Sequence, residues 1–133
     1  MIVLDEHLDV GLVLVPLLHR LKSRVISVRD LRPGTVIKDE MIPSLLSRYN
    51  NATFVTGNVT DFWRKLPAHA RYCLVCVPVS TQRQAEIPNL LAGFLKHPAF
   101  RTVRQRMGKV VRLNKIEILY YAVNQRAVSR VAW

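Results

Sequence analysis

Three carboxylates and one amide stand where a side chain could do chemistry. Asp5 closes the run Ile2-Val3-Leu4-Asp5-Glu6, Asp39 opens Lys38-Asp39-Glu40-Met41-Ile42, and Asn58 and Asp61 follow Phe54-Val55-Thr56-Gly57. Each stands where a short apolar run has ended or a helix is about to begin. In an open α/β sheet, groups just past the carboxyl ends of the strands converge on one crevice although they are distant in sequence. Carboxylates gathered in a partly desolvated crevice repel one another, and a hard cation such as Mg2+ or Mn2+ relieves that repulsion. The chemistry to expect is therefore metal-assisted, with Asp5, Asp39, Asp61 and Asn58 as both ligands and catalytic groups. The opposing readings are local ones. Asp39 and Glu40 would suit the first turn of any helix, Asp61 could anchor a loop beside Phe62 and Trp63, and Glu6 and His7 could support the cluster or simply be solvated.

Elements that could place these groups are legible along the chain. Ile2 to Leu4 reads as a short apolar strand, and Asp9 as the N-cap of a helix running to about Lys22 with a kink or a late start at Pro16. Arg24 to Val28 reads as a second strand, Arg29 to Gly34 as a loop, and about Lys38 to Arg48 as a second helix ended by the turn Tyr49-Asn50-Asn51. Ala52 to Thr56 and Arg71 to Val79 are strands three and four. Glu86 to His97 is a third helix, ended by Pro98, with a further helical turn or two available through Arg106. Lys109 to Leu113 and Ile116 to Val123, around Asn114-Lys115, predict a C-terminal β-hairpin. Alternating strands and helices imply a mostly parallel central sheet with helices on both faces, in one domain spanning residues 1–133.

Composition narrows the function classes. Half of the 133 residues are apolar, which is ample for a core, and the net charge is +11. Residues 1–61 hold seven acids and seven bases, whereas residues 62–133 hold two acids and thirteen bases, so the whole excess lies in the second half. That imbalance favours a polyanion such as RNA over an acidic protein partner. Arg64, Lys65, Arg71, Arg101, Arg104, Arg106, Lys109 and Arg112 are the expected phosphate contacts. Trp63 and one of Tyr120 and Tyr121 could stack on bases, since the two tyrosines should face opposite ways. Cys73 and Cys76 lie in one strand and face opposite sides, so they read as core thiols. The start Met1 to Glu6 lacks a basic n-region, and Val10 to Leu18 is too short to cross a bilayer, so a cytoplasmic protein with no membrane association is expected. No phosphate-binding Gly-rich loop or Gly-x-Ser-x-Gly turn is present, and Asn58 offers no carboxylate of the kind a receiver-type phosphorylation switch needs there.

The blocks Leu4-Asp5-Glu6-His7-Leu8, Val28-Arg29-Asp30, Asp39-Glu40-Met41-Ile42 and Thr56-Gly57-Asn58-Val59-Thr60-Asp61-Phe62 resemble, in order, those of the PIN-like domains, in the short branch that opens with a Leu-Asp-Glu block. The resemblance implies a PIN-like three-layer sandwich and a divalent-metal-dependent ribonuclease, of the kind found as the toxin of toxin–antitoxin pairs. It makes Asp5, Asp39, Asp61 and Asn58 the site, braced by Thr56 and supported by Glu6 and Glu40, with Mg2+ or Mn2+ as cofactor. RNA and an antitoxin protein would be the partners. This chain departs from the family at Asn58, where many members carry an acid, and at Pro16 and its basic second half. The departures leave open a non-cleaving module that binds nucleic acid or an acidic partner, and an altered assembly such as a homodimer.

Overall fold

The computed structural model describes residues 1–133. Seven strands form one sheet in the order β2-β1-β3-β4-β5-β6-β7, comprising β1 (Ile2–Leu4), β2 (Val25–Ser27), β3 (Ala52–Thr56), β4 (Tyr72–Cys76), β5 (Lys109–Leu113), β6 (Glu117–Ala122) and β7 (Ser129–Ala132). The first five in sequence are mutually parallel, and β6 and β7 run antiparallel to their neighbours. Every residue of β1, β3 and β4 is buried, because strands covered on both faces carry apolar residues continuously rather than alternately. Two cores result. One face holds Leu4, Val55, Val75 and Val111 under α1 (Val15–Arg20) and α4 (Ile87–Lys96). The other holds Val3, Phe54, Leu74 and Val110 under α2 (Ile42–Leu46), α3 (Val59–Phe62) and the chain from Trp63 to Ala68. Cys73 and Cys76 fall in different cores, and burial pushes both thiols up to about 12.

Several expectations shift in detail. Asp9 does cap the first helix, accepting from the Leu12 N–H at 2.9 Å, but residues Val10–Leu14 form a π-helical turn before the α-helix begins. The α-helix itself starts late, at Val15, so that Pro16 sits in its first turn, where the missing N–H is harmless; of the two outcomes expected at Pro16, the late start is the one observed. The helix expected over Lys38 to Arg48 is a 3-10 turn, Asp39–Met41, leading into α2 with Pro43 in its own first turn. The loop expected over Arg29 to Gly34 starts inside a 3-10 turn, Val28–Leu31. Strand four stops at Cys76, and a second short helix, α5 (Val103–Arg106), carries a Thr102/Gln105 capping box. The C-terminal hairpin acquires a third strand, β7, which alternation of only four residues does not announce. No helix is long and apolar enough to cross a membrane.

Candidate active site

Strand β1 lies between β2 and β3, so the connectivity reverses direction beside it and opens a crevice at the carboxyl ends of β1 and β3. Asp5 follows β1 directly, and the turn Gly57-Asn58 follows β3. Asp39 comes from the 3-10 turn before α2, and Asp61 lies in α3. Three segments far apart in sequence thus bring the four expected groups together.

Asp5 is buried, and its charge is fully engaged. Its Oδ2 accepts from the Thr56 hydroxyl at 2.6 Å and lies 3.2 Å from His7 Nδ1, while Oδ1 accepts from the Glu6 N–H at 2.8 Å. Burial alone would raise this carboxyl, but the bonds from His7, Thr56 and Glu6 outweigh it and hold Asp5 below the ordinary carboxylate range. The same bond to Asp5 raises His7. Thr56 does brace the pair as expected: its hydroxyl also accepts from the Asn58 N–H at 3.0 Å.

Asn58 holds the other two carboxylates. Its Nδ2 donates to Asp61 Oδ2 at 2.7 Å and to Asp39 Oδ2 at 3.3 Å, and its Oδ1 caps α3 by accepting from the Asp61 N–H at 3.1 Å. The orientation is dictated by the partners, because a flipped amide would set its oxygen against two carboxylates and its NH2 against an N–H. Asp39 is nevertheless raised, first by desolvation and then by the negative charges of Asp5, Asp61 and Glu40. Glu6 and Glu40 are exposed beside the cluster.

The donor set suits a hard cation. No three His, Cys, Asp or Glu side chains converge closely enough to clasp one ion among themselves. Two carboxylates are sufficient for Mg2+ or Mn2+ when waters or phosphate oxygens complete the shell, and Asp39 and Asp61 provide such a pair. Asn58 does not present an oxygen to them: its oxygen is committed to the helix cap and its N–H bonds occupy the space between the two acids.

Two contributors have weak sequence signals. Gln84 is buried, accepts from the Asp9 N–H at 2.7 Å and donates to the His7 carbonyl at 3.4 Å, fixing the loop that carries Asp5 and His7. Gly57 lets His7 approach closely: a Cβ there would stand 3.1 Å from His7 Nε2, so a larger residue would push the imidazole aside. A glycine directly after an apolar strand is a readable sign; a glutamine in a polar loop is not. His7, Gly57, Asn58 and Gln84 line a cleft of about 360 Å³.

The expected phosphate contacts are not brought together. Arg112 lies at the carboxyl end of β5, on the side of the acids, whereas Arg64 and Lys65, although close to Asp61 in sequence, line a cleft with Tyr121, Gln125 and Arg126 toward the other edge. Arg71, Arg101, Arg104 and Lys109 precede the amino ends of β4 and β5, at the opposite edge, and β3 alone separates the two edges by about 17 Å. Arg71 is bonded to Asn50 Oδ1 at 2.7 Å, and Lys109 lies 5.1 Å over the rings of Phe100 and Tyr120. Arg106 is not available to a phosphate: it is only 6 % exposed, and Nη1 donates to the Phe100 and Arg101 carbonyls. The aromatic platforms fail for a similar reason. Tyr120 and Tyr121 do face opposite sides, but Tyr121 is buried with its hydroxyl bonded to Leu66 and Arg64, Trp63 packs against it at 5.2 Å, and Tyr120 packs edge-on against Phe100.

All nine acids lie at the carboxyl edge: six follow β1, β2 or β3, Glu86 precedes α4, Asp9 caps the first helical turn, and Glu117 starts the antiparallel β6. The amino edge has Arg24, Arg48, Arg71, Arg101, Arg104, Lys109 and Arg126 and no acid. The charge asymmetry is therefore between edges of the sheet rather than between halves of the chain.

No family model matches this chain, and no curated protein or solved structure is significantly similar to it.

Proposed function

We propose that the protein is a divalent-metal-dependent ribonuclease of the PIN type. The observation that carries the reading is the meeting of Asp5, Asp39 and Asp61 at the reversal point of the sheet, with the Asp39 carboxyl held above its usual range by burial and by its acidic neighbours. Asp39 and Asp61 would hold the cation. A bound Mg2+ or Mn2+ lowers the pKa of water and neutralises charge on a phosphodiester. Asp5 stays ionised through His7, Thr56 and the Glu6 amide, and so keeps negative charge at the floor of the crevice. Thr56 ties Asp5 to the Asn58 turn and thereby sets the spacing of the acids. Arg112, at the carboxyl end of β5, is the cation on the side of the acids that would receive the substrate backbone.

The Asn58 bonds favour a second reading, a non-cleaving module of the same fold. The amide supplies internally part of the positive charge that a cation would bring, so the pair Asp39–Asp61 is already partly satisfied. Incubation of unstructured RNA with the protein and Mn2+ separates the two. Cleavage that is abolished by EDTA and by Asp39→Asn or Asp61→Asn supports the nuclease. RNA binding with no cleavage in Mn2+ or Mg2+ supports the non-cleaving module, and neither binding nor cleavage defeats both.

A further inference from the structure

The register of the sheet sets five residues in one row across its carboxyl edge: Thr56 pairs with Cys76, Cys76 with Arg112, Arg112 with Leu119, and Leu119 with Arg130. Partners in register project to the same face. Thr56 and Cys76 therefore define the side of the row, and Cys76 belongs to the core that contains Phe54 and Phe62. Toward β5, β6 and β7 that core runs out. Arg112, Leu119 and Arg130 belong to neither core; Arg112 and Leu119 are half-buried and Arg130 is exposed. The sheet is thus covered on both faces over β1–β4, and one face opens beyond the buried Tyr121, over the Leu119 end of β6 and over β7, where α4 covers only the other side.

From this open row we propose that a single nucleic-acid strand leaves the acid cluster across β5–β7, held by Arg112 and Arg130 with Leu119 between them. The proposal rests on the reading of the acids as a phosphodiester site. At about 4.8 Å per strand, Arg112 stands about 10 Å from Thr56 and Arg130 about 10 Å further on. The row therefore leads directly outward from the hydroxyl that holds Asp5. Arg130 already bonds Glu117 Oε1 through Nη1 at 3.2 Å, which leaves Nε and Nη2 without a protein partner. Leu119 offers an apolar contact for a sugar or base face. The cations at the amino edge of the sheet, however numerous, point along a different border.

The test is anisotropy titration of a fluorescein-labelled 12-nucleotide oligouridylate in EDTA across a range of NaCl concentrations. Arg112→Ala/Arg130→Ala should weaken binding at low salt and flatten the log–log salt slope by about 1.4, at about 0.7 per phosphate contact. Arg112→Lys/Arg130→Lys should keep the wild-type slope, and Glu117→Gln should tighten binding. Arg101→Ala/Arg104→Ala, at the far edge, should leave the slope unchanged. Equal slopes for the wild type and Arg112→Ala/Arg130→Ala overturn the path, as does loss of binding confined to Arg101→Ala/Arg104→Ala. A wild-type protein that does not bind the oligonucleotide at low salt also overturns it and points to an acidic protein instead. Because the titration is metal-free, binding that depends on this row without Mn2+-dependent cleavage leaves the path standing and removes only the nuclease. Cleavage that is indifferent to Arg112 and Arg130 removes only the path.

Discussion

Replacing Asn58 with aspartate changes the charge of the site while keeping its architecture. A carboxylate caps α3 as well as an amide does, so the bond from the Asp61 N–H survives. What is lost is the donor at 2.7 Å from Asp61 and 3.3 Å from Asp39. A hydrogen bond to a charged group contributes about 1.5–3 kcal/mol, and Asp61 is exposed, so the low end of that range applies. The new charge adds repulsion of about 1 kcal/mol per neighbouring carboxylate at about 4 Å in water-like surroundings. Asn58→Asp should therefore destabilise the metal-free protein by about 3.5 kcal/mol. In urea, with a slope of about 2 kcal/mol per molar, the unfolding midpoint falls by about 1.7 M in EDTA. Mn2+ should offset most of this, since a cation at about 100 times its dissociation constant adds about 2.7 kcal/mol. The midpoint of Asn58→Asp should rise on adding Mn2+ by more than that of the wild type. An Asn58→Asp protein as stable as the wild type in EDTA, or an equal Mn2+ effect on both, would refute the account of the amide as an internal counter-charge.

Asp5→Asn should lower stability by about 1–2 kcal/mol in urea denaturation, because the buried carboxylate accepts from Thr56, Glu6 and His7 and its charge is favoured in place. Relief of crowding among the acids belongs to Asp39, whose carboxyl is the raised one, so Asp39→Asn should be neutral or stabilising in EDTA. His7 is raised by its bond to Asp5, so its contribution to stability is complete below its ordinary value of 6.5 and is lost as the pH rises through the higher folded value. His7→Gln should flatten the decline in melting temperature measured in EDTA just above pH 6.5. Arg106→Ala should cost about 1–3 kcal/mol by leaving the Phe100 and Arg101 carbonyls without their donor, yet leave the salt slope of oligonucleotide binding unchanged.

Much of the site was readable in the chain because its signals are local. Asp5 ends an apolar strand, and Thr56-Gly57-Asn58 ends another. The alternation of these elements implies a parallel sheet whose strand ends share one crevice. The buried strands β3 and β4 and the cap at Asp9 follow from side-chain type alone. What the chain could not convey depends on direction and register. The basic second half reads as one surface, but a parallel strand carries its preceding and following residues to opposite edges, so Arg104 and Arg112 end up on different borders although they are eight positions apart. Arg106 reads like its neighbours, and only packing buries it. The bonding direction of Asn58 is equally invisible, because an amide carries both a donor and an acceptor, and only the fold turns its NH2 to Asp39 and Asp61 and its oxygen to the helix cap. The row from Thr56 to Arg130 joins residues 74 positions apart through four pairings, and it exists only because each strand settles in one register.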